Sequence, residues 1–142
     1  MTDVPNLTPT ELQTPETYLG PERLDQSRYV GTKLVLNRPA EYRLAPSVPP
    51  DAISYGGTWT LSGQTATAGP GARLDLRYHS KEVYIVLSGH GRVAVTRDGK
   101  PLRSIEVDGA KLYTVLSSNV TSDALLEFSV PPGVRAYSFT FG

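Results

Sequence analysis

Residues 73–79 alternate apolar and polar side chains at every position. Leu74, Leu76 and Tyr78 fall on one side, and charged residues or histidine fall on the other. A period of two is typical of a β-strand that buries one face. The next apolar run, residues 83–87, has no polar position at all, which indicates a strand covered on both faces. We therefore predict two strands here, separated by a short break near Ser80.

Strand-length runs recur from Lys33 to the C-terminus, and no segment shows the period of a three-turn helix. Asp98-Gly99 separates two such runs and is the strongest of the hairpin signals, because both central residues of a type I′ turn need positive φ. We predict an all-β, antiparallel, jelly-roll-like sandwich of about nine or ten strands, since an open sheet would leave its apolar face in water. The predicted core comprises Trp59, Leu74, Leu76, Val83, Ile85, Leu87, Val93, Val95, Leu112, Leu126, Phe128, Tyr137 and Phe139.

The N-terminal segment differs from the rest, because four prolines interrupt residues 1–35 and no strand-length alternation occurs there. The sequence Thr8-Pro9-Thr10-Glu11 matches a capping box with proline at the first helical position. Thr14-Pro15-Glu16 repeats that start, and Gly20 ends it after about one turn. We predict an interdomain linker over residues 1–13, or plain disorder there, and one sandwich domain over residues 14–142, with short helical turns only near the N-terminus.

Composition excludes several functions. The chain has no cysteine, which excludes disulfides, thiol redox chemistry and a thiolate zinc site within it. Fourteen basic residues balance fourteen acidic ones, so no net field favours nucleic acid. No apolar run approaches the roughly 18–20 residues that cross a bilayer, and the first 30 residues lack a signal-peptide pattern. We expect no direct membrane insertion by this chain, and any export signal to lie outside it.

Catalytic and metal-binding patterns are also missing. The two histidines are His79, on the polar side of its strand, and His90, within a glycine-flanked turn. A zinc site needs further ligands, and no spacing of carboxylates supplies them. Neither a nucleophile motif nor a phosphate-binding glycine loop is present. We predict no metal, no cofactor and no catalytic residue, and a hydrolase with paired carboxylates is the least favoured class.

The polar side of residues 73–79 has two interpretations. Arg73, Asp75, Arg77 and His79 occupy four successive outward positions. The plainer interpretation is a solvated sheet face with cross-strand ion pairs. The functional one is a ligand platform in which Arg77 and His79 contact the ligand.

The eight tyrosines offer a second candidate site. A sugar or aromatic ligand stacks on exposed rings, and Tyr29, Tyr55 and Tyr113 are the best candidates for exposure. We select Tyr55 and Tyr113 as the ligand platform. The tyrosines predicted to pack in the core, with their hydroxyl groups at its rim, are Tyr78, Tyr84 and Tyr137.

Five segments carry a family resemblance. They are residues 14–20 (TPETYLG), 57–59 (GTW), 78–86 (YHSKEVYIV), 97–101 (RDGKP) and 137–142 (YSFTFG). Together they resemble the C-terminal domain of DipZ-type proteins. In that family a membrane-embedded electron carrier of the CcdA type is followed by a thioredoxin-like domain, and then by a β-sandwich resembling a carbohydrate-binding module.

The resemblance implies an extracytoplasmic location and a jelly-roll-like sandwich. The family's redox cysteines belong to the thioredoxin-like domain, so no catalytic residue transfers to this chain. The expected role is a non-catalytic domain that binds cell-envelope glycan, and the rival is a module that docks on the thioredoxin-like domain or its substrate. Exposed aromatic residues in a groove favour the first role, and a flat apolar patch beside the N-terminal segment favours the second.

Overall fold

Nine β-strands and one 3-10 turn make up the secondary structure of residues 13–142, which are the residues that the computed structural model describes. The predicted all-β class is confirmed, and the 3-10 turn, Gln26–Arg28, is the only helical element within this range. The strands are β1 (Thr17–Tyr18), β2 (Pro39–Tyr42), β3 (Ile53–Ser62), β4 (Thr65–Ala68), β5 (Arg73–Ser88), β6 (His90–Arg97), β7 (Lys100–Asp108), β8 (Lys111–Ser129) and β9 (Arg135–Phe141).

All strand pairs are antiparallel and form one hydrogen-bonded network in the order β1-β9-β4-β3-β5-β8-β6-β7, with β2 added on β3. The long strand β5 pairs with β3 through residues 73–76 and with β9 through residues 83–88. On its other side β5 pairs with β8 along nearly its whole length. The network is consistent with the predicted β-sandwich, whereas the jelly-roll connectivity stays a prediction.

The predicted break near Ser80 is wrong, because β5 runs through it without a turn. The register against β8 shifts between Ser80 and Glu82, because β8 has four residues, 118–121, where β5 has one. The Ser80 hydroxyl group donates to the Glu82 carbonyl (3.0 Å), and the N–H groups of Lys81 and Glu82 both donate to the Gly142 carbonyl. These hydrogen bonds keep β5 continuous through the register shift, so two predicted strands are two halves of one strand.

The aromatic centre of the core lies around Trp59. Its indole N–H donates to the Gly56 carbonyl at 2.9 Å, and its ring centroid lies 5.1 Å from that of Tyr55. Of the thirteen predicted core residues, eleven are buried. The two exceptions are Leu112, which is 55% exposed, and Tyr137, which is half-buried.

The helical turn predicted from Thr14 to Gly20 is wrong, because this stretch is extended and contains β1. The Thr14 hydroxyl group donates to Asp51 Oδ1 (2.6 Å) and accepts from the His79 backbone N–H (2.7 Å). These bonds to the sandwich occupy the oxygen that would have capped a helix. The turn predicted at Thr8, and all but the last residue of the predicted linker, lie outside the described residues.

Arg28 fixes the N-terminal segment to the sandwich. Its Nε donates to the Asp51 carbonyl (2.8 Å), and its Nη1 donates to the Glu16 carbonyl (3.3 Å). Its Nη2 donates to the Pro15 carbonyl (3.1 Å) and to the Thr17 hydroxyl group. One guanidinium therefore holds the chain against the domain up to β1, because its several donors reach carbonyl groups on both sides.

The hairpin between β6 and β7 turns at Asp98-Gly99, as predicted. Both residues have positive φ, 49° and 84°, and Arg97 pairs with Lys100. The Asp98 carboxylate also accepts from the Leu125 backbone N–H (3.0 Å), which ties the turn to β8.

Within residues 13–142 no helix has the length and apolar character needed to cross a bilayer.

Candidate functional site

The first half of β5 forms a charged face with β8. Arg77 Nε lies 3.1 Å from Asp123 Oδ1, and His79 Nδ1 lies 3.9 Å from Asp123 Oδ2. Arg73 Nη2 lies 3.6 Å from Glu127 Oε2. This geometry agrees with the plainer interpretation, cross-strand ion pairing, because the basic groups are directed to carboxylates of the same sheet. The charged face comprises Arg73, Asp75, Arg77, His79, Asp123 and Glu127.

Asp75 does not point to solvent as predicted, because it is 4% exposed and its Oδ1 has no hydrogen-bond partner among the described residues. Burial raises the pKa of its carboxyl group to about 7, and the charge of Glu127, directly opposite on β8, adds to the rise. Ser54 lies opposite Asp75 on β3, and its Oγ accepts from the Ala45 backbone N–H. Strand alternation predicts which side of the sheet Asp75 projects from, but it cannot show that other segments of the same chain cover that side.

The expected exposure of Tyr55 is wrong. Its ring is fully buried, and its hydroxyl group donates to the Leu19 carbonyl at 2.8 Å. Burial raises the pKa of Tyr55 above its usual range. No ring surface is left for stacking, so Tyr55 is part of the core and not of a ligand platform.

Tyr113 is half-buried and opposite the buried Ile85. Its hydroxyl group accepts from the Asp108 N–H (2.8 Å) and donates to the Gly109 carbonyl (2.7 Å), which stabilises the turn before β8. Among the four predicted site residues, the structure brings together only Arg77 and His79, through their shared partner Asp123.

The second half of β5 has a different outer face. Val86 pairs directly with Ser138 of β9 on one side and with Leu112 of β8 on the other, and Ser138 pairs in turn with Tyr18 of β1. Side chains of directly paired residues project to the same side of a sheet, so these four form a continuous row. Tyr84, two residues before Val86, lies on the same side in the next row. The register between β5 and β9 shifts between Val86 and Leu87, which leaves Tyr137 unpaired with β5 next to Ser138, and Tyr137 lines the same pocket as Tyr18 and Ser138. The aromatic face comprises Tyr18, Tyr84, Val86, Leu112, Tyr137 and Ser138.

Leu112 belongs to this face because the strand phase predicted for residues 111–116 is wrong by one residue. Tyr113 and Val115 point inward, whereas Leu112 is 55% exposed. A shift of one residue moves every side chain of a strand to the opposite face. The sequence KLYTVL has apolar or aromatic residues in both phases, so its pattern does not select one.

Tyr84 is only partly buried, in contrast to its predicted place in the core. Its hydroxyl group donates to Glu82 Oε1 at 2.9 Å, and this hydrogen bond raises the pKa of Tyr84. The contact ties the tyrosine to its own strand and places a carboxylate at this end of the aromatic face.

A small pocket opens at the β1 edge of the aromatic face, with a volume of about 110 Å³. The Arg23 guanidinium carbon lies 3.9 Å from the centroid of the Tyr18 ring, a cation–π contact. A Cβ at Gly20 would lie 2.0 Å from the Gln64 carbonyl carbon, so glycine permits the close approach that forms one wall. The lining residues are Tyr18, Gly20, Arg23, Gln64, Tyr137 and Ser138.

The Tyr137 hydroxyl group forms a hydrogen bond of 2.9 Å with Oγ of the buried Ser88. Arg135 Nε donates to the same oxygen at 3.1 Å. Two tyrosines, an arginine, a glutamine and a serine therefore line one opening. Such a set offers both ring surface and directional polar groups to a ligand.

Sequence reasoning missed this pocket, although two of its residues lie within segments that carry the family resemblance. Tyr18 belongs to residues 14–20 and Tyr137 to residues 137–142. Their occurrence in two specific motifs was the available signal. Local alternation gives no information about which distant segments pair, so it could not locate the pocket.

Within residues 13–142 no three histidine, aspartate or glutamate side chains cluster as ligands for a metal ion.

Comparisons with known proteins agree with the resemblance. A family model described as "Thioredoxin like C-terminal domain" matches residues 14–142. Two curated proteins named DipZ, from Mycobacterium bovis (strain ATCC BAA-935 / AF2122/97) and Mycobacterium tuberculosis (strain CDC 1551 / Oshkosh), are each 34% identical over 143 residues. The alignments cover 99% of this chain and 20% of each relative, so the chain spans about a fifth of their length.

Proposed function

The chain belongs to the family of thioredoxin-like C-terminal domains, and on this basis we propose that it is a non-catalytic accessory domain of an extracytoplasmic DipZ-type protein. The absence of cysteine from its 142 residues supports the proposed non-catalytic role, because disulfide exchange requires a thiolate. In this proposal a neighbouring thioredoxin-like domain carries the redox chemistry, and the sandwich, over residues 14–142, provides recognition.

The ligand that we propose is carbohydrate of the cell envelope. The observation that supports it is the pocket between Tyr18 and Tyr137, where aromatic rings adjoin the polar groups of Arg23, Gln64 and Ser138. Aromatic rings stack on sugar faces, while amide and guanidinium groups fix the orientation through hydrogen bonds. The affinity is weak, because each sugar hydroxyl group gives up water for the hydrogen bond it gains.

The alternative is a docking module for the thioredoxin-like domain or its substrate. Val86 and Leu112 favour it, because they are adjacent apolar residues in a row that continues through Ser138 to Tyr18. Tyr18 lies in β1, the first strand after the N-terminal segment. In this alternative, the thioredoxin-like domain precedes β1 in the chain and contacts this row.

A glycan array followed by calorimetric titration tests the carbohydrate proposal. Tyr18→Ala removes the stacking ring and should abolish binding, whereas Tyr18→Phe keeps the ring and should retain it. Tyr29 offers a matched control, since this half-buried tyrosine lies outside the pocket, and Tyr29→Phe should bind as the parent does. Titrations that stay flat at millimolar saccharide would reject the carbohydrate proposal and favour docking.

Chemical-shift mapping with a thioredoxin-like domain of a DipZ-type protein tests the alternative. Docking predicts shifts at Val86 and Leu112 that Leu112→Lys removes. A spectrum unchanged by the added domain, together with saccharide binding, would reject docking.

Insulin reduction by the purified chain tests the non-catalytic assignment. We expect the rate of the buffer blank, because the chain supplies no thiolate to attack a disulfide. A rate clearly above the blank would contradict the assignment.

A further inference from the structure

The pocket on the aromatic face is lined by one arginine, Arg23, and a second, Arg135, is linked to the lining residue Tyr137 through Ser88. Arg23 lines the pocket and stacks on Tyr18, and Arg135 donates to Ser88 beside the Tyr137 hydroxyl group. Among the described residues, neither arginine has a carboxylate at ion-pair distance. The local excess of positive charge contrasts with the balanced charge of the whole chain.

None of the described residues that line the pocket carries a carboxylate. Glu22 is the sequence neighbour of Arg23, but its carboxylate is directed to the neighbourhood of Gly63, and Glu22 and Gly63 line a separate depression. Arg73 and Arg77 of the charged face behave differently, because both lie within reach of carboxylates on β8. Among residues 13–142, Arg73 and Arg77 of the charged face therefore have carboxylates within reach, whereas Arg23 has none at ion-pair distance.

The chemistry of Arg23 suits an anionic group. A guanidinium that stacks on an aromatic ring uses its flat side, and its N–H donors remain at the edge. Those donors match the two oxygens of a carboxylate or phosphate in a bidentate arrangement, and such charge-assisted hydrogen bonds are stronger than neutral ones.

The size of the pocket limits what enters it. Its volume of about 110 Å³ is well below the roughly 300–1,000 Å³ of sites that enclose a whole small ligand. It accommodates a substituent and not an entire oligosaccharide. The rest of the ligand must then lie on the open surface next to Tyr18 and Tyr137.

We infer that the ligand is an acidic saccharide, which places a carboxylate or phosphate group beside Arg23 and a sugar ring against Tyr18. This inference rests on the proposed carbohydrate binding and adds the charge of the ligand. Gln64 contributes neutral hydrogen-bonding groups at the same opening.

An array of uronic-acid oligosaccharides, phosphorylated oligosaccharides and their uncharged counterparts tests the inference with the intact chain. We expect the chain to retain acidic members at low ionic strength and to lose them as salt increases, because exposed charges are screened. The relative retention of the uronic-acid and phosphorylated members then identifies which anionic group fits.

Arg23→Gln removes the charge and should weaken binding of the best acidic member about tenfold (~1.4 kcal/mol), because a charge-assisted hydrogen bond is lost. Arg38→Gln is the matched control, because Arg38 is exposed and does not line the pocket. It should leave the affinity unchanged. Thermal melts of both variants establish that they fold as the parent does.

The outcomes separate the inference from the function on which it rests. Uncharged saccharides that bind as tightly as acidic ones, with no effect of Arg23→Gln, would overturn the inference and leave carbohydrate binding intact. An array that retains no saccharide at all would overturn the carbohydrate function itself, and the inference with it.

Discussion

The two halves of β5 present two different outer faces of one continuous strand. The first half belongs to the charged face, where Arg77 and His79 adjoin Asp123. The second half belongs to the aromatic face, where Val86 adjoins Leu112 and few charges occur. The half with more charged residues is the half whose charges neutralise one another. A dense run of charges in a sequence therefore marks a paired surface as readily as a binding surface.

The difference affects what each face can bind. A ligand on the charged face must compete with carboxylates that are already paired with the arginines. Much of the binding free energy that the ligand gains there is therefore offset by the loss of the existing ion pairs. On the aromatic face Arg23 and the rings of Tyr18 and Tyr137 are already held in place by stacking and hydrogen bonding. Groups that are positioned before binding lose less freedom when a ligand arrives.

The largest expected effect concerns the buried acid of the charged face. The pKa of Asp75 is raised from 3.8 to about 7 by burial and by the Glu127 charge, against a weaker lowering by Arg73. Because the folded pKa exceeds the unfolded one, folding takes up a proton between these values, and stability falls as pH rises from about 4 to 7. At ~1.4 kcal/mol per unit, the loss is at most on the order of 4 kcal/mol.

Asp75→Asn keeps the shape and removes the titration. Urea unfolding at pH 4 should show the smallest difference in the free energy of unfolding between the two proteins, and the stability advantage of the variant should grow with pH and reach its full size by pH 8. The groups facing Asp75 from neighbouring strands are Glu127 on β8 and the uncharged Ser54 on β3. Parallel pH profiles for the two proteins would mean that Asp75 is charged in the folded domain throughout.

The second effect concerns the hairpin that supports β8 on the charged side. Gly99 has φ of 84°, and a Cβ there would meet no atom within 4 Å, so any cost of Gly99→Val comes from backbone strain alone. We expect a loss of about 1–3 kcal/mol in the free energy of unfolding. Gly99→Asn is the control, because asparagine tolerates positive φ. Equal denaturation midpoints for the two variants would exclude strain at this turn.

The third effect is smaller and concerns the exposed ion pair of the charged face. The side chains of Arg77 and Asp123 are 42% and 48% exposed, so their attraction is largely screened by water. A double-mutant cycle with Arg77→Gln and Asp123→Asn should give a coupling energy below about 1 kcal/mol. A much larger value would show a rigid network and would widen the difference between the faces.

The smallest effect concerns the aromatic face. Leu112 is 55% exposed, so Leu112→Lys should change the free energy of unfolding by no more than about 0.5 kcal/mol. Leu126→Ala, in the buried part of the same strand, should cost about 2–5 kcal/mol. Denaturant melts of the two variants that show similar losses would place Leu112 in the core after all.

The sequence by itself determined the strand content, the buried side of residues 73–79 and the Asp98-Gly99 turn, because these depend on local alternation and on local φ requirements. The specific motifs at residues 14–20 and 137–142 also indicated the family, which the match over residues 14–142 supports.

Only the tertiary structure decided which outward positions remain outward. Asp75 is covered and Leu112 is not. The register of the strands and the segments packed over them determine exposure, whereas the period of two does not. Tyr18 and Tyr137 form one pocket because β1 pairs with β9, which joins the beginning of the domain to its end. A pairing between distant segments leaves no trace in local periodicity, so no reading of either segment alone could locate the pocket.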